Sequence, residues 1–200
     1  MSFRSTAAAA IIALTAFPAI AAPTSTDPAK VPAGDYVLDK SHASLTVRVP
    51  HMGFSNYTMR FDRLEGGFAY NPADWTTAKA TITVDPASIN TGAASFDKEI
   101  AGPKFFDAAR YPTISFVSTA VSGQDGKGQV TGDLTFHGVT KPVTLDVVFN
   151  GVGPGMLGAG TRLGFSGTTR IKRSDFGVTA VDNLVGDDVD LQFEVEFTKK

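Results

Sequence analysis

The sequence predicts an all-β fold, an antiparallel sandwich or barrel of about eight strands with a short helical crossover. Three observations carry this. Apolar and polar residues alternate with period two over most of the chain, glycine-rich connections separate the alternating runs, and one stretch, Thr91 to Arg110, breaks the alternation. Period-two alternation places one face of a strand inward and the other toward water.

The chain begins MSFRSTAAAAIIALTAFPAIAAPTST. Arg4 is a basic start, Ala7 to Phe17 is an uncharged run too short to span a bilayer as a helix, and Ala19-Ile20-Ala21 is a small-x-small cleavage pattern. Residues 1–21 therefore read as a secretory signal peptide. Pro18 ends the apolar run, and the chain has no cysteine for lipoprotein acylation, which argues against a membrane anchor. Residues 22–34 hold three prolines among polar residues and read as a flexible lead-in. Residues 35–200 then form one domain, long enough for a sizeable core.

In SHASLTVRV, Ala43, Leu45, Val47 and Val49 share one face. Tyr57, Met59 and Phe61 are odd-numbered, whereas Leu64, Gly66, Phe68 and Tyr70 are even-numbered. One extra residue near Asp62-Arg63, a β-bulge, returns both sets to one face. Ala78, Ala80, Ile82 and Val84 alternate with Lys79, Thr81 and Thr83. In the crossover, Phe96 and Ile100 are four apart on one face of a short helix that Gly102-Pro103 interrupts, and Phe105-Phe106 opens another turn. Leu134 and Phe136 face inward on one strand, and Val143, Leu145, Val147 and Phe149 on the next, with His137 to Pro142 as the link. Leu163, Phe165, Gly167, Thr169 and Ile171 follow, then Leu191, Phe193, Val195 and Phe197.

Charge and composition exclude several functions. The formal net charge is −2, and loss of Arg4 with the leader takes it to about −3, so nothing draws the chain to nucleic acid. The absence of cysteine removes thiol nucleophiles, iron–sulfur clusters and thiolate zinc sites. An exported fold without disulfides rests on its apolar core. His42, His51 and His137 form no close-spaced ligand pair, and Gly164-Phe165-Ser166-Gly167 misses a nucleophile elbow by one position. Asp39 and His42 suit turn and edge hydrogen bonding. Gly123 to Gly128 reads as a hairpin loop rather than a phosphate cradle. Asn150 to Gly160 reads as a long glycine-rich hairpin loop, in which Met156 and Leu157 are the apolar pair. No enzyme, metal or cofactor is expected.

Tyr36-Val37-Leu38-Asp39 with Ser41-His42-Ala43-Ser44, His51-Met52-Gly53, and Ala87-Ser88-Ile89-Asn90-Thr91-Gly92 come first along the chain. Phe105-Phe106-Asp107-Ala108, Tyr111 to Phe116 and Ser118-Thr119 follow, then Gly132 to Val143 and Lys172-Arg173-Ser174-Asp175-Phe176-Gly177. In this order these segments resemble the YceI-like family, and the resemblance covers nearly the whole mature chain. It implies a lipocalin-like antiparallel β-barrel in the periplasm that binds a long polyisoprenoid, a prenyl quinone or prenyl phosphate, for transport or storage. The chain departs from the family's crossover at Asp97-Lys98-Glu99-Ile100, where many relatives have Asp-x-His-Leu.

In the tunnel that the resemblance implies, the inward apolar set and the crossover residues form the lining: Leu45, Val47, Val49, Met59, Phe61, Phe68, Ile82, Phe96, Ile100, Phe105, Phe106, Ile114, Phe116, Leu134, Phe136, Leu145, Val147, Phe165 and Phe193. Head-group candidates are Asp97, Lys98, Lys141 and Arg173, with Lys104, Arg170 and Lys172 beside them. Residue pattern alone leaves the interior open. Ala43, Gly66, Ala78, Ala80, Ser118, Ala120 and Gly167 are small inward positions, which suit either a tunnel or a packed core with large residues filling across from small ones. The competing reading is a structural or stress-related barrel that works through protein partners. Expected associations are the lipid, transient contact with a membrane or membrane protein, and a monomer or homodimer.

Overall fold

The computed structural model describes residues 25–155 and 159–200. The segment read as a signal peptide and the Met156-Leu157 pair lie outside the described residues. The strands are β1 (Gly34–His51), β2 (Ser55–Phe61), β3 (Leu64–Tyr70), β4 (Lys79–Val84), β5 (Ile89–Asn90), β6 (Ile114–Gln124), β7 (Lys127–Phe136), β8 (Val139–Pro154), β9 (Thr161–Lys172) and β10 (Asp188–Lys199). The helix α1 (Ala94–Ala101) sits in the crossover between β5 and β6.

Going round the sheet, β10, β9, β8, β7, β6, β4, β3 and β1 are neighbours, and β1 pairs back onto β10. β2 takes the place of β3 along the C-terminal half of β1. The result is a closed antiparallel barrel with eight positions round the ring. Closure pairs most strand edges, with β6 beyond Val117 paired to β7 alone, and eight strands give an interior that either fills with side chains or holds one small ligand. The register puts Gly34, Tyr70 and the Gln124–Lys127 hairpin at one end with Pro154 and Thr161. The His51 end gathers the β1–β2 turn, the α1 crossover, the β7–β8 turn and the loop between β9 and β10.

Two hairpins close tightly because their central residues adopt left-handed backbone. These are Asp125 (φ 53°) with Gly126 (φ 75°), and His137 (φ 52°) with Gly138 (φ 78°). Such turns match the twist of the flanking strands. The link expected over His137 to Pro142 is therefore only two residues long, and Pro142 already pairs with Asp133 inside β8.

The phase change at Asp62-Arg63 is real but comes from a break between strands. The Asp62 amide donates to the Ser88 carbonyl at 3.0 Å and the Arg63 amide to Ser88 Oγ at 3.0 Å, replacing ladder bonds. The larger irregularity lies in β1, between Leu38 and Ala43. There the Asp39 carboxylate accepts from the Ser41 amide (3.0 Å) and hydroxyl (2.6 Å) and pairs with the His42 ring (3.0 Å). These local bonds compete with the ladder. They also switch the inward set from Tyr36 and Leu38 to Ala43 and Leu45.

A second bulge between Ser118 and Ala120 turns Ala120 outward, so it leaves the expected inward set and Val121 takes its place on the interior wall. The lead-in is also corrected. From Ser25 on it is docked rather than free. Ser25 pairs with Val152, Val31 is buried, and the Tyr36 and Tyr70 hydroxyls donate to Pro32 O (2.7 Å) and Pro28 O (3.1 Å). Polar satisfaction of buried Tyr36 and half-buried Tyr70 helps hold this stretch against the barrel.

The core is packed at both ends. At the Gly34 end, Tyr36 stacks on Phe68 with centroids 5.0 Å apart, and Phe68 meets Phe197 edge-on at 5.0 Å. Leu38, Phe149, Val152 and Leu163 complete this buried layer. At the His51 end, Phe136, Phe176 and Val178 form a buried cluster against Phe106 and Ile171.

Candidate functional site

Between these packed ends lies an apolar cavity of ≈ 760 Å³. That volume falls within the roughly 300–1,000 Å³ of small-molecule sites. Leu45, Phe68, Leu145, Phe165 and Phe193 point inward yet are only half-buried. Their remaining surface faces the cavity, which a filled barrel would have covered. All the apolar residues assigned from sequence to the lining lie on its wall, including Phe96, Ile100, Phe105 and Phe106 from the crossover.

The small inward positions divide. Ala78 and Ala80 line the cavity. Gly167 does not leave free volume, because the Phe193 ring fills the space beside it, and Phe116 does the same at Gly132. Exposed residues join the lining in two places. Glu99, Lys104 and Leu184 do so at the His51 end, and Trp75 with the Ser122–Gln129 hairpin does so low on the barrel side. The second place follows from topology. β4 pairs with β6 only over Thr81–Val84, so the rest of β6 runs on past it.

The polar residues proposed for a head group separate. Asp97 is used locally: its carboxylate accepts from the Thr91 hydroxyl at 2.6 Å and the Thr91 amide at 2.7 Å, which hold it below the usual carboxylate range. Lys98 and Lys141 are exposed and off the cavity wall. Arg170 and Lys172 pair on the exterior with Asp190 (2.6 Å) and Asp188 (3.1 Å). Lys104 reaches the lining and lies 5.3 Å from the Phe105 ring centre. Glu99, the crossover residue that departs from the family pattern, also reaches it.

Arg173 is the buried cation of the set. Its guanidinium donates to the carbonyls of Val178 (2.9 Å), Ala180 (2.8 Å), Val185 (3.1 Å) and Gly186 (2.9 Å). A planar fork with five donors fits such a ring of carbonyls, so this side chain fixes the β9–β10 loop over the cavity.

The three histidines do not converge. His42 is outside with Asp39 and Arg162, His51 lines the cavity, and His137 donates from Nδ1 to Phe176 O (3.1 Å). Among the described residues, no three His, Asp or Glu side chains are grouped to hold a metal ion.

Residues 36–197 match the family model of the YceI-like domain. The chain belongs to that family. It is 39% identical over 171 residues to a UPF0312 protein of Vibrio cholerae, covering 84% of this chain and 89% of the relative. Among solved structures it is similar to the YCEI protein of Campylobacter jejuni, with TM-score 0.67, 32% identity, and coverage of 76% and 90%. It shares its fold with a polyisoprenoid binding domain from Saccharophagus degradans, with TM-score 0.62, 19% identity, and coverage of 82% and 98%. No helix of the described residues is long and apolar enough to cross a membrane.

Within the YceI-like barrel, sequence reasoning missed the parts of the wall that come from loops. Val178, Ala180, Val181, Leu184 and Val185 line the cavity from the β9–β10 loop, and Pro28 and Val31 from the lead-in. The signal was present in the apolar character of Val178 to Val185, but strand alternation does not extend there.

Proposed function

We propose that this YceI-like protein is a periplasmic carrier that encloses a long polyisoprenoid, a prenyl quinone or prenyl phosphate, without converting it. The observation that carries this reading is the apolar cavity whose inward wall is left half-uncovered. The polyisoprenoid binding described for the Saccharophagus degradans domain supports the ligand class, and the leader-like residues 1–21 support the compartment.

The driving force suits a hydrocarbon. Each CH₂-sized unit removed from water contributes about 0.8 kcal/mol, and the entropy lost by ordering a flexible chain offsets part of it. Enclosure gives the molecule a soluble state in an aqueous compartment.

The test is mass spectrometry on an organic extract of protein purified from the periplasm without detergent. A prenyl lipid at near one equivalent is expected. An empty extract, still empty after refolding with added prenyl quinone or prenyl phosphate, would overturn the carrier reading and leave a barrel that works through protein partners.

A further inference from the structure

Two turns meet at the His51 end and expose apolar side chains together. Phe54 is 86% exposed, Met52 52% and Leu184 40%. In a soluble domain single exposed apolar residues need no explanation, but a phenylalanine held almost wholly in water beside two others does.

The turns are fastened to each other. The Met52 amide donates to Leu184 O at 2.8 Å, the Gly186 amide to Pro50 O at 2.8 Å, and His51 bridges to Val185. Within the first turn the Phe54 amide donates to His51 O at 3.0 Å. In the second, Val181 has φ 51°, a costly conformation for a β-branched residue, and its carbonyl accepts from the Leu184 and Val185 amides. Arg173 holds the same loop from inside through Val185 and Gly186. The three side chains are thus presented by a braced tip rather than by free loops.

The braced turns also reach the cavity. His51, Val181, Leu184 and Val185 all line it. An apolar surface therefore continues from the exposed tip through Leu184 to the interior.

We infer that this tip, Met52, Phe54 and Leu184, docks the barrel on a lipid bilayer and sets the mouth against the source of its ligand. The inference rests on the carrier reading for the identity of what passes through the mouth. Size favours a bilayer over a protein. Three side chains framed by Gly53, Ser55 and Asn56 fall far short of the roughly 1,000 Å² that a specific protein interface needs. Insertion into a headgroup layer needs no shape-matched partner. A bilayer is also the place from which a water-insoluble chain must be drawn. The docking is apolar, so salt does not remove it.

The test uses the mature protein and vesicles of phosphatidylethanolamine and phosphatidylglycerol. Flotation of the wild type is compared with Met52→Ser/Phe54→Ser, with Val148→Ser on the barrel wall, and with Met156→Ser/Leu157→Ser, the apolar pair between Pro154 and Thr161 in the sequence. Each variant's melting curve is taken first. The tip variant should lose vesicle partitioning by about tenfold or more, in low and in 0.5 M salt, while the other two retain it. Prenyl quinone uptake is then measured from dilute ethanol and from vesicles. The tip variant should load normally from ethanol and at least about tenfold more slowly from vesicles.

Absence of wild-type flotation would overturn the inference and point the tip at a protein. Loss of flotation only in the Met156/Leu157 variant would overturn it in favour of that segment. Failure of the wild type to load from either source would overturn the carrier reading, while flotation still decides the docking.

Discussion

The ring of Phe193 occupies the space into which a side chain on Gly167 would grow. The two are cross-strand partners in β9 and β10, and a Cβ placed on Gly167 would lie 2.1 Å from Phe193 Cζ and 2.7 Å from the Asp146 carbonyl oxygen. Large residue and small residue here form one packing unit. Gly167→Ala should cost about 2 kcal/mol or more, because the ring must leave its packed position and the carbonyl of β8 cannot move aside. In the Phe193→Ala background the same change should cost at least about 1 kcal/mol less. Urea unfolding of the four proteins measures both. A Gly167→Ala variant within about 0.5 kcal/mol of wild type would remove the packing argument.

Ala80 is the better position at which to block the cavity. It lies on the cavity wall, pairs with Phe68 across β3–β4, and its amide is already satisfied by Ser118 Oγ at 2.8 Å. In Ala80→Trp the indole should enter open volume. Prenyl quinone bound at saturation should fall by about tenfold or more, with circular dichroism and melting temperature close to wild type. Undiminished binding by a folded variant would take Ala80 out of the ligand's path.

Arg173 contributes through geometry more than through charge. Four backbone carbonyls converge on one guanidinium, and removing it leaves one buried and three partly buried acceptors without their donors. Arg173→Ala should destabilise the fold by about 3 kcal/mol or more. Arg173→Lys should recover little of that, because a compact ammonium cannot span the same ring. Limited proteolysis should show cleavage between Gly177 and Asp187 before any other described segment. Full rescue by lysine would show that charge alone suffices.

Much of the barrel was legible because its strands alternate cleanly. Leu191, Phe193, Val195 and Phe197 show their inward face without help, while the choice of a barrel over a sandwich rested on the resemblance to the YceI-like family. The interior was legible only in its composition. No pattern separates Ala80, which borders open volume, from Gly167, which a ring fills, since the difference lies in the residue across the ladder. The switch of face in β1 was hidden for a related reason. It depends on Asp39 turning its side chain onto Ser41 and His42, a local competition that hydrophobic periodicity does not record. Arg173 was visible as a charged residue near a loop, but its partners are main-chain atoms, which carry no residue signature.

Asp39 ties that irregular segment to the neighbouring strands. Its carboxylate accepts from the Ser41 hydroxyl and amide, pairs with His42, and meets Arg162 at 2.8 Å, while Arg162 also pairs with Glu196. The Ser41 hydroxyl above all, then the Ser41 amide, His42 and Arg162, hold the Asp39 carboxyl well below the usual carboxylate range against the opposing effect of burial. A group whose folded value is depressed stabilises the fold above its unfolded value and loses that contribution as pH falls through the folded one. The stabilisation should therefore be complete at neutral pH and decline below about pH 4. Solvent screening keeps it to about 1 kcal/mol. Asp97, Asp187 and Asp190 are also depressed, so the total acid sensitivity is shared. The difference between wild type and Asp39→Asn isolates this one group. The variant should be less stable at pH 7, and the two stability curves should converge as the pH approaches 2. Parallel curves from pH 7 to 2 would show that Asp39 keeps the same protonation energetics folded and unfolded.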